Sequence, residues 1–317
     1  MSVAHTGTNG PGAGGYSSRT PSIFVGPSGI RAGWRLLIFF AFVLPLLFLV
    51  QSVSKLFPVL KAAVKNNLNG GASIPLGDIV LQGSGLLTIL VAAWLMSRIE
   101  HRPFEDYGLP VSGLFGKLFL QGGLWGLVTE GLTIAFISVF HGFSPGTFAL
   151  NATGIAKYAA LWAIAFVVVG LQEEFFYRGY LLFTLASGIH FWPAAILTSL
   201  VFGAVHLSNP GESWVGGLQI VIWALAMCFT VRRTGSLWFA VGFHAAVDFA
   251  ETFLFSVNNS GNSAQGQLLH STMHGPAWLT GGAVGPEGSV FSYLSIALFA
   301  VTFHILYKKR PSCALNS

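Results

Sequence analysis

Charge is what this sequence has least of. Only 9% of its 317 residues are Asp, Glu, Lys or Arg, against about 25% in an ordinary soluble domain. So few charges cannot clothe a water-facing surface, which excludes an ordinary soluble globular protein. Cysteine is almost missing too. Cys228 lies in an apolar run and Cys313 near the end, so neither a disulfide framework nor a thiolate metal site is expected. The ending Cys313-Ala314-Leu315-Asn316-Ser317 is not a prenylation box, because its cysteine stands fifth from the end rather than fourth. Near the start there is no short apolar core followed by a small-residue cleavage site, so no cleaved signal peptide is expected. The formal charge of +5 comes from basic residues that flank apolar runs. That is a membrane-orientation pattern, and no nucleic-acid partner is expected.

What the chain has is apolar length. Hydrophobic residues make up 53%, and several nearly uncharged runs reach roughly 20 residues, enough to cross about 30 Å of hydrocarbon. Inside lipid a run must satisfy its own backbone hydrogen bonds, so these runs are helices. The expected fold is an all-α polytopic membrane protein with eight spans, near 34–52, 77–97, 116–139, 156–173, 191–207, 214–231, 236–255 and 288–307. Residues 1–30, rich in Gly, Ser, Thr and Pro, read as a disordered tail. Residues 31–310 form the transmembrane domain, and 311–317 a short cytoplasmic tail. With the N-terminus in the cytoplasm and strict alternation, 12 Lys and Arg fall inside and 4 outside. Both termini are therefore expected to be cytoplasmic.

Three groups of ionisable residues interrupt the apolar runs, where each charge is costly and normally faces a cavity or a partner. In Glu173-Glu174-Phe175-Phe176-Tyr177-Arg178, adjacent glutamates point about 100° apart. Arg178 is four residues after Glu174 and can pair with it, which leaves Glu173 for another role, such as a general base. Taken alone, this is equally a helix-end salt bridge. In Phe202-Gly203-Ala204-Val205-His206, a lone histidine near a helix end is more often structural. In His244-Ala245-Ala246-Val247-Asp248, the histidine and aspartate share a helix face that Glu251 continues. That spacing suits a histidine steered by a carboxylate, two ligands of one metal, or a polar seam between helices. Together the groups could activate water and stabilise an oxyanion. Glu130, mid-span, is a candidate partner for one of the histidines.

Other intramembrane hydrolase patterns are missing. There is no His-Glu-x-x-His, Pro75-Leu76-Gly77-Asp78 lacks the first glycine of an aspartyl-type site, and Gln82-Gly83-Ser84-Gly85 lacks the leading glycine of a serine site. The order Glu-Glu-x-x-x-Arg, Phe-x-x-x-His, His-x-x-x-Asn/Asp resembles the CPBP (CAAX protease and bacteriocin-processing) family, also called the Abi or type II CAAX prenyl endopeptidase family. Here it is carried by Glu173, Glu174, Arg178, Phe202, His206, His244 and Asp248. Arg178-Gly179-Tyr180-Leu181 and Arg233-Thr234-Gly235-Ser236-Leu237 flank the motifs in the same sense. The resemblance covers residues 156–255, taken as the catalytic core.

The resemblance implies an intramembrane endopeptidase acting on membrane-associated substrates, prenylated or leader-containing. Glu173 would activate water with His206 assisting, and His244 and Asp248 would line the oxyanion site. Glu174, Arg178 and Phe202 would support the motif helix. Relatives with Asn at the last position have a ready amide donor, whereas Asp248 donates only if protonated. Otherwise Asp248 orients His244 or joins Glu173, His206 and His244 around a divalent metal such as zinc. The expected partners are membrane lipid and a membrane-anchored peptide or protein. Two other functions fit the same residues: a non-proteolytic scaffold or immunity factor, and a proton-coupled transporter relaying through Glu130, Glu173 and Asp248.

Overall fold

The computed structural model describes residues 23–26, 29–54, 57–58, 61 and 71–308. Most of the tails expected at 1–30 and 311–317 lies outside them. The first described residues of that N-terminal stretch carry a small hairpin, β1 (Val25–Gly26) with β2 (Gly29–Ile30). The Trp34 indole N–H donates to the Ile23 carbonyl and ties the hairpin to the first helix.

The helices are α1 (Ala32–Ser54), α2 (Pro75–Ile99), α3 (Lys117–Val139), α4 (Ala152–Glu174), α5 (Leu182–Ile189), α6 (Phe191–His206), α7 (Trp214–Thr234), α8 (Trp238–Phe249), the short α9 (Ala277–Thr280) and α10 (Val290–Leu306). Two π-helical stretches extend them: Phe175–Leu181 joins α4 to α5, and Ala250–Leu254 continues α8. Among the described residues five helical stretches are long and apolar enough to cross a membrane, with α6 and α10 as shorter apolar helices. Leu44, Phe48, Leu120, Leu124, Val201 and Ile305 face outward, as lipid-facing positions do. The expected fourth span, 156–173, is longer than the sequence suggested. It runs on through the π turn as one apolar stretch, Ala152–Ile189, because no proline follows the glutamates and the one charge beyond them, Arg178, is paired internally with Glu174.

Glycine fixes how closely these helices approach. A side chain on Gly122 or Gly126 of α3 would overlap the carbonyl oxygens of Phe239 and Phe243 on α8, and one on Gly242 of α8 would overlap that of Phe119. Gly-x-x-x-Gly contacts of this kind let membrane helices pack backbone to backbone. Gly170 likewise brings α4 against Val241 of α8. The centre is aromatic: Phe239 and Phe243 of α8 pack on Phe299 of α10, and Phe239 also packs on Phe303.

The two ends of the bundle differ. One end holds the starts of α1, α3 and α8 and the ends of α2, α5, α7 and α10. There Arg35 pairs with Glu100 and donates to Ser187, and Tyr180 donates to Glu100 at 3.0 Å. The other end is roofed by the 142–151 and 255–289 segments, joined where β3 (Phe143–Ser144) pairs with β4 (Thr272–Met273). At that end the Ser73 N–H donates to the Ser263 carbonyl at 2.7 Å, and the Gln265 N–H donates to the Ser73 carbonyl at 2.9 Å. Trp238, at the start of α8, faces inward. It is buried, and its indole N–H donates to the Pro110 carbonyl at 2.9 Å.

Candidate active site

Glu173, His206, His244 and Asp248 come from α4, α6 and α8 and line one cavity of about 280 Å³ beneath the roof. His244 is its hub. Its Nδ1–H donates to Glu174 Oε1 at 2.9 Å, while its Nε2 lies 3.8 Å from Glu173 Oε2 and 3.6 Å from Asp248 Oδ2. The adjacent glutamates thus reach the same imidazole from opposite sides. Their exposure separates them: the Glu173 side chain is 24% exposed and opens into the cavity, whereas that of Glu174 is 0% exposed.

Glu174 does more than the helix support expected of it. One oxygen takes both Arg178 Nη1, at 3.2 Å, and His244, so a single carboxylate couples the first motif to the third. The π turn that follows Glu174 is a feature common at functional sites. The second such turn begins two residues after Asp248.

Arg178, counted with the inside charges when the sequence is read, is not a membrane-flanking residue. It is 1% exposed, and its guanidinium lies 4.2 Å from the Phe202 ring centre and 5.3 Å from that of Trp223. Aromatic faces attract a desolvated cation, which gives Phe202 a physical role. Trp223 was not singled out in the sequence. It also meets the edge of His244, with ring centres 4.7 Å apart. A tryptophan 17 residues after His206 and 21 before His244, on a helix that holds neither, carries no signal of its own in sequence.

His206 Nδ1 lies 2.8 Å from the Phe202 carbonyl. A carbonyl only accepts, so Nδ1 bears a proton, and of the two neutral tautomers this contact selects the one with Nε2 as acceptor. His206 and His244 therefore have different partners: one ring is anchored to a backbone carbonyl, the other is held among three carboxylates.

A second, smaller cavity of about 50 Å³ lies alongside and also touches His206, His244 and Asp248. Glu130, Glu251 and Glu287 line it, and one oxygen of each is buried without a hydrogen-bond partner among the described residues. Glu130, considered above as a partner for a histidine, makes no such bond. Glu287 lies outside the spanning helices. Burial first, and then the charge of Glu212, push its carboxyl up to about 8. Its place was not legible, because 39 residues separate it from Asp248 in sequence and only the roof returns it.

Among the described residues no group of three or more His, Cys, Asp or Glu side chains is arranged to hold a metal ion. No step below passes through a metal.

Fold and site together define a polytopic helical membrane protein with a carboxylate–imidazole cluster in a polar cavity. Residues 155–250 match the family model described as type II CAAX prenyl endopeptidase Rce1-like, in keeping with the resemblance of this core to the CPBP family. The chain is also 27% identical over 274 residues to "Uncharacterized protein YyaK" of Bacillus subtilis (strain 168), covering 80% of this chain and 89% of that one. No solved structure matches. The chain is a polytopic helical membrane protein whose core is similar to the CAAX-protease type.

Proposed function

We propose that this protein is an intramembrane endopeptidase that cleaves a peptide bond of a membrane-associated substrate with water activated by Glu173. The observation that carries the reading is the division of labour around His244. A sealed Glu174 holds the ring from Nδ1, and the open Glu173 faces the cavity on the Nε2 side. In that arrangement the Glu173 carboxylate takes a proton from water as the water oxygen attacks the scissile carbonyl carbon. His206 Nε2, the acceptor, holds the water's other hydrogen. His244 Nε2–H donates to the developing oxyanion, and an imidazolium there has Glu173, Glu174 and Asp248 as counter-ions. Collapse breaks the C–N bond, and the proton on Glu173 passes to the departing amine, so acid and base work are returned within one cycle.

Asp248 shares the Nε2 side of His244 at 3.6 Å, a position that favours orienting the ring. The N- and C-termini are proposed to be cytoplasmic, with the basic end of the bundle on that side.

The test is cleavage of a fluorogenic membrane-anchored peptide by the purified protein in proteoliposomes. Glu173→Gln is expected to lower kcat by about 10²–10⁴-fold, the usual contribution of a general base, with the protein still folded. Cleavage at the unmutated rate would sink the mechanism. Substrate processing in cells sustained by Glu173→Gln would point instead to the scaffold reading.

A further inference from the structure

We propose that the catalytic cavity is entered from the non-cytoplasmic side and takes a peptide segment with an apolar flank and a neutral or basic residue beside the scissile bond. This rests on the endopeptidase reading for its substrate, but its orientation half does not.

The cavity reaches the surface at the roof end: Ser73, Asn209 and the 259–264 segment line it, and these lie in the loops between α1 and α2, α6 and α7, and α8 and α10. Described basic residues gather at the opposite end. Arg31, Arg35, Arg98, Arg102, Lys117, Arg232, Arg233 and Lys308 stand there, while Lys61 and Lys157 stand at the roof end. Setting aside Arg178, which is internal, the asymmetry is eight to two. Short loops rich in Lys and Arg stay in the cytoplasm. The roof, and the mouth beneath it, then face away from the cytoplasm. A cytoplasmic prenylated tail would meet the closed end, where Arg35, Glu100 and Tyr180 are knit together.

The lining identifies what can enter. Trp162, Phe166 and Val169 of α4 form an apolar wall, with the first two rings stacked at 5.2 Å. Facing it are Asp78 and Gln82 of α2, together with roof amides and hydroxyls. The lining includes Asp78, Glu173 and Asp248 and no lysine or arginine. Within low-dielectric walls, charges of one sign attract the opposite sign and repel their own. An acidic residue next to the scissile bond is therefore disfavoured, and a lysine or arginine is favoured. The roof is stitched down by Ser73 and by the Trp162 indole N–H, which donates to the Gln265 carbonyl at 3.0 Å. The segment must accordingly slide in beneath 259–265 in extended form.

The experiment uses the full chain carrying Cys313→Ser, in which the remaining Cys228 is buried. Ser263→Cys at the roof and Lys117→Cys at the opposite end are each treated with a membrane-impermeant maleimide, in intact cells and after permeabilisation. Ser263→Cys should be labelled in intact cells and Lys117→Cys only after permeabilisation. The reverse pattern, or equal labelling of both, overturns the orientation whether or not the protein cleaves anything. In the Glu173→Gln background, two synthetic transmembrane peptides that differ only in a Lys or Glu flank at the roof-side leaflet are then compared for shielding of Ser263→Cys. The Lys peptide should slow labelling at several-fold lower concentration. Shielding by neither peptide, or preferentially by the Glu peptide, overturns the substrate class and leaves the orientation result standing.

Discussion

A buried ion pair is a poor source of stability but a strict geometric constraint. Arg178 and Glu174 are enclosed, and each keeps one terminal atom without a hydrogen-bond partner among the described residues, Arg178 Nη2 and Glu174 Oε2. Removing one partner strands the other charge, at about 3–5 kcal/mol. Arg178→Met is therefore expected to lower the unfolding midpoint in detergent sharply, and Arg178→Met with Glu174→Gln to lower it less. Glu174→Gln alone should reduce kcat about 10–100-fold with little change in KM, the effect of losing a group that orients a working side chain. A KM effect with kcat intact would remove Glu174 from that role. Glu287 gives a pH signature. Its carboxyl is pushed up to about 8 from an ordinary 4.5, so the folded protein favours the protonated form. Its contribution to stability is fully present below about pH 4.5 and is lost as pH rises through about 8. Thermal melts across that window should show a fall that Glu287→Gln flattens. At this scale the motif residues were legible in sequence, because a charge in an apolar run is conspicuous. Trp223 was not, because an aromatic residue in such a run is ordinary.

Helices here are positioned by what is missing from their surfaces. The α3–α8 crossing depends on Gly122, Gly126 and Gly242, where a Cβ would overlap backbone, and α8 carries His244 and Asp248. Gly242→Val should separate the two helices, cost about 1–3 kcal/mol or more as over-packing does, and reduce cleavage without touching a site residue. Unchanged melting and activity would show the crossing to be slack. That the chain is a set of apolar helices could be read from hydropathy, since each must satisfy its backbone alone in lipid, although five rather than eight stretches among the described residues are long and apolar enough to cross. The glycine contacts could not, because Gly122-x-x-x-Gly126 does not name its partner. The π turns at Phe175–Leu181 and Ala250–Leu254 were also hidden, since one surplus residue in an apolar helix leaves hydropathy unchanged.

The whole molecule is a bundle whose outward residues are apolar and whose polar groups face each other. With Leu44, Phe48, Leu120, Leu124 and Ile305 exposed on its flanks, it should stay in the membrane pellet through an alkaline carbonate wash and require detergent for release. Recovery in the wash supernatant would contradict the spanning arrangement. The roof carries a consequence for how the protein comes into being. Synthesis delivers Glu173, His206, His244 and Asp248 well before the 259–265 strap, Glu287, and the Phe299 and Phe303 rings that brace α8. A ribosome-bound chain ending near residue 255 already owns every motif side chain, yet neither the cover over its cavity nor the support beneath its third motif. The order of translation thus assembles the motif side chains first and completes the cavity around them only when α10 is made.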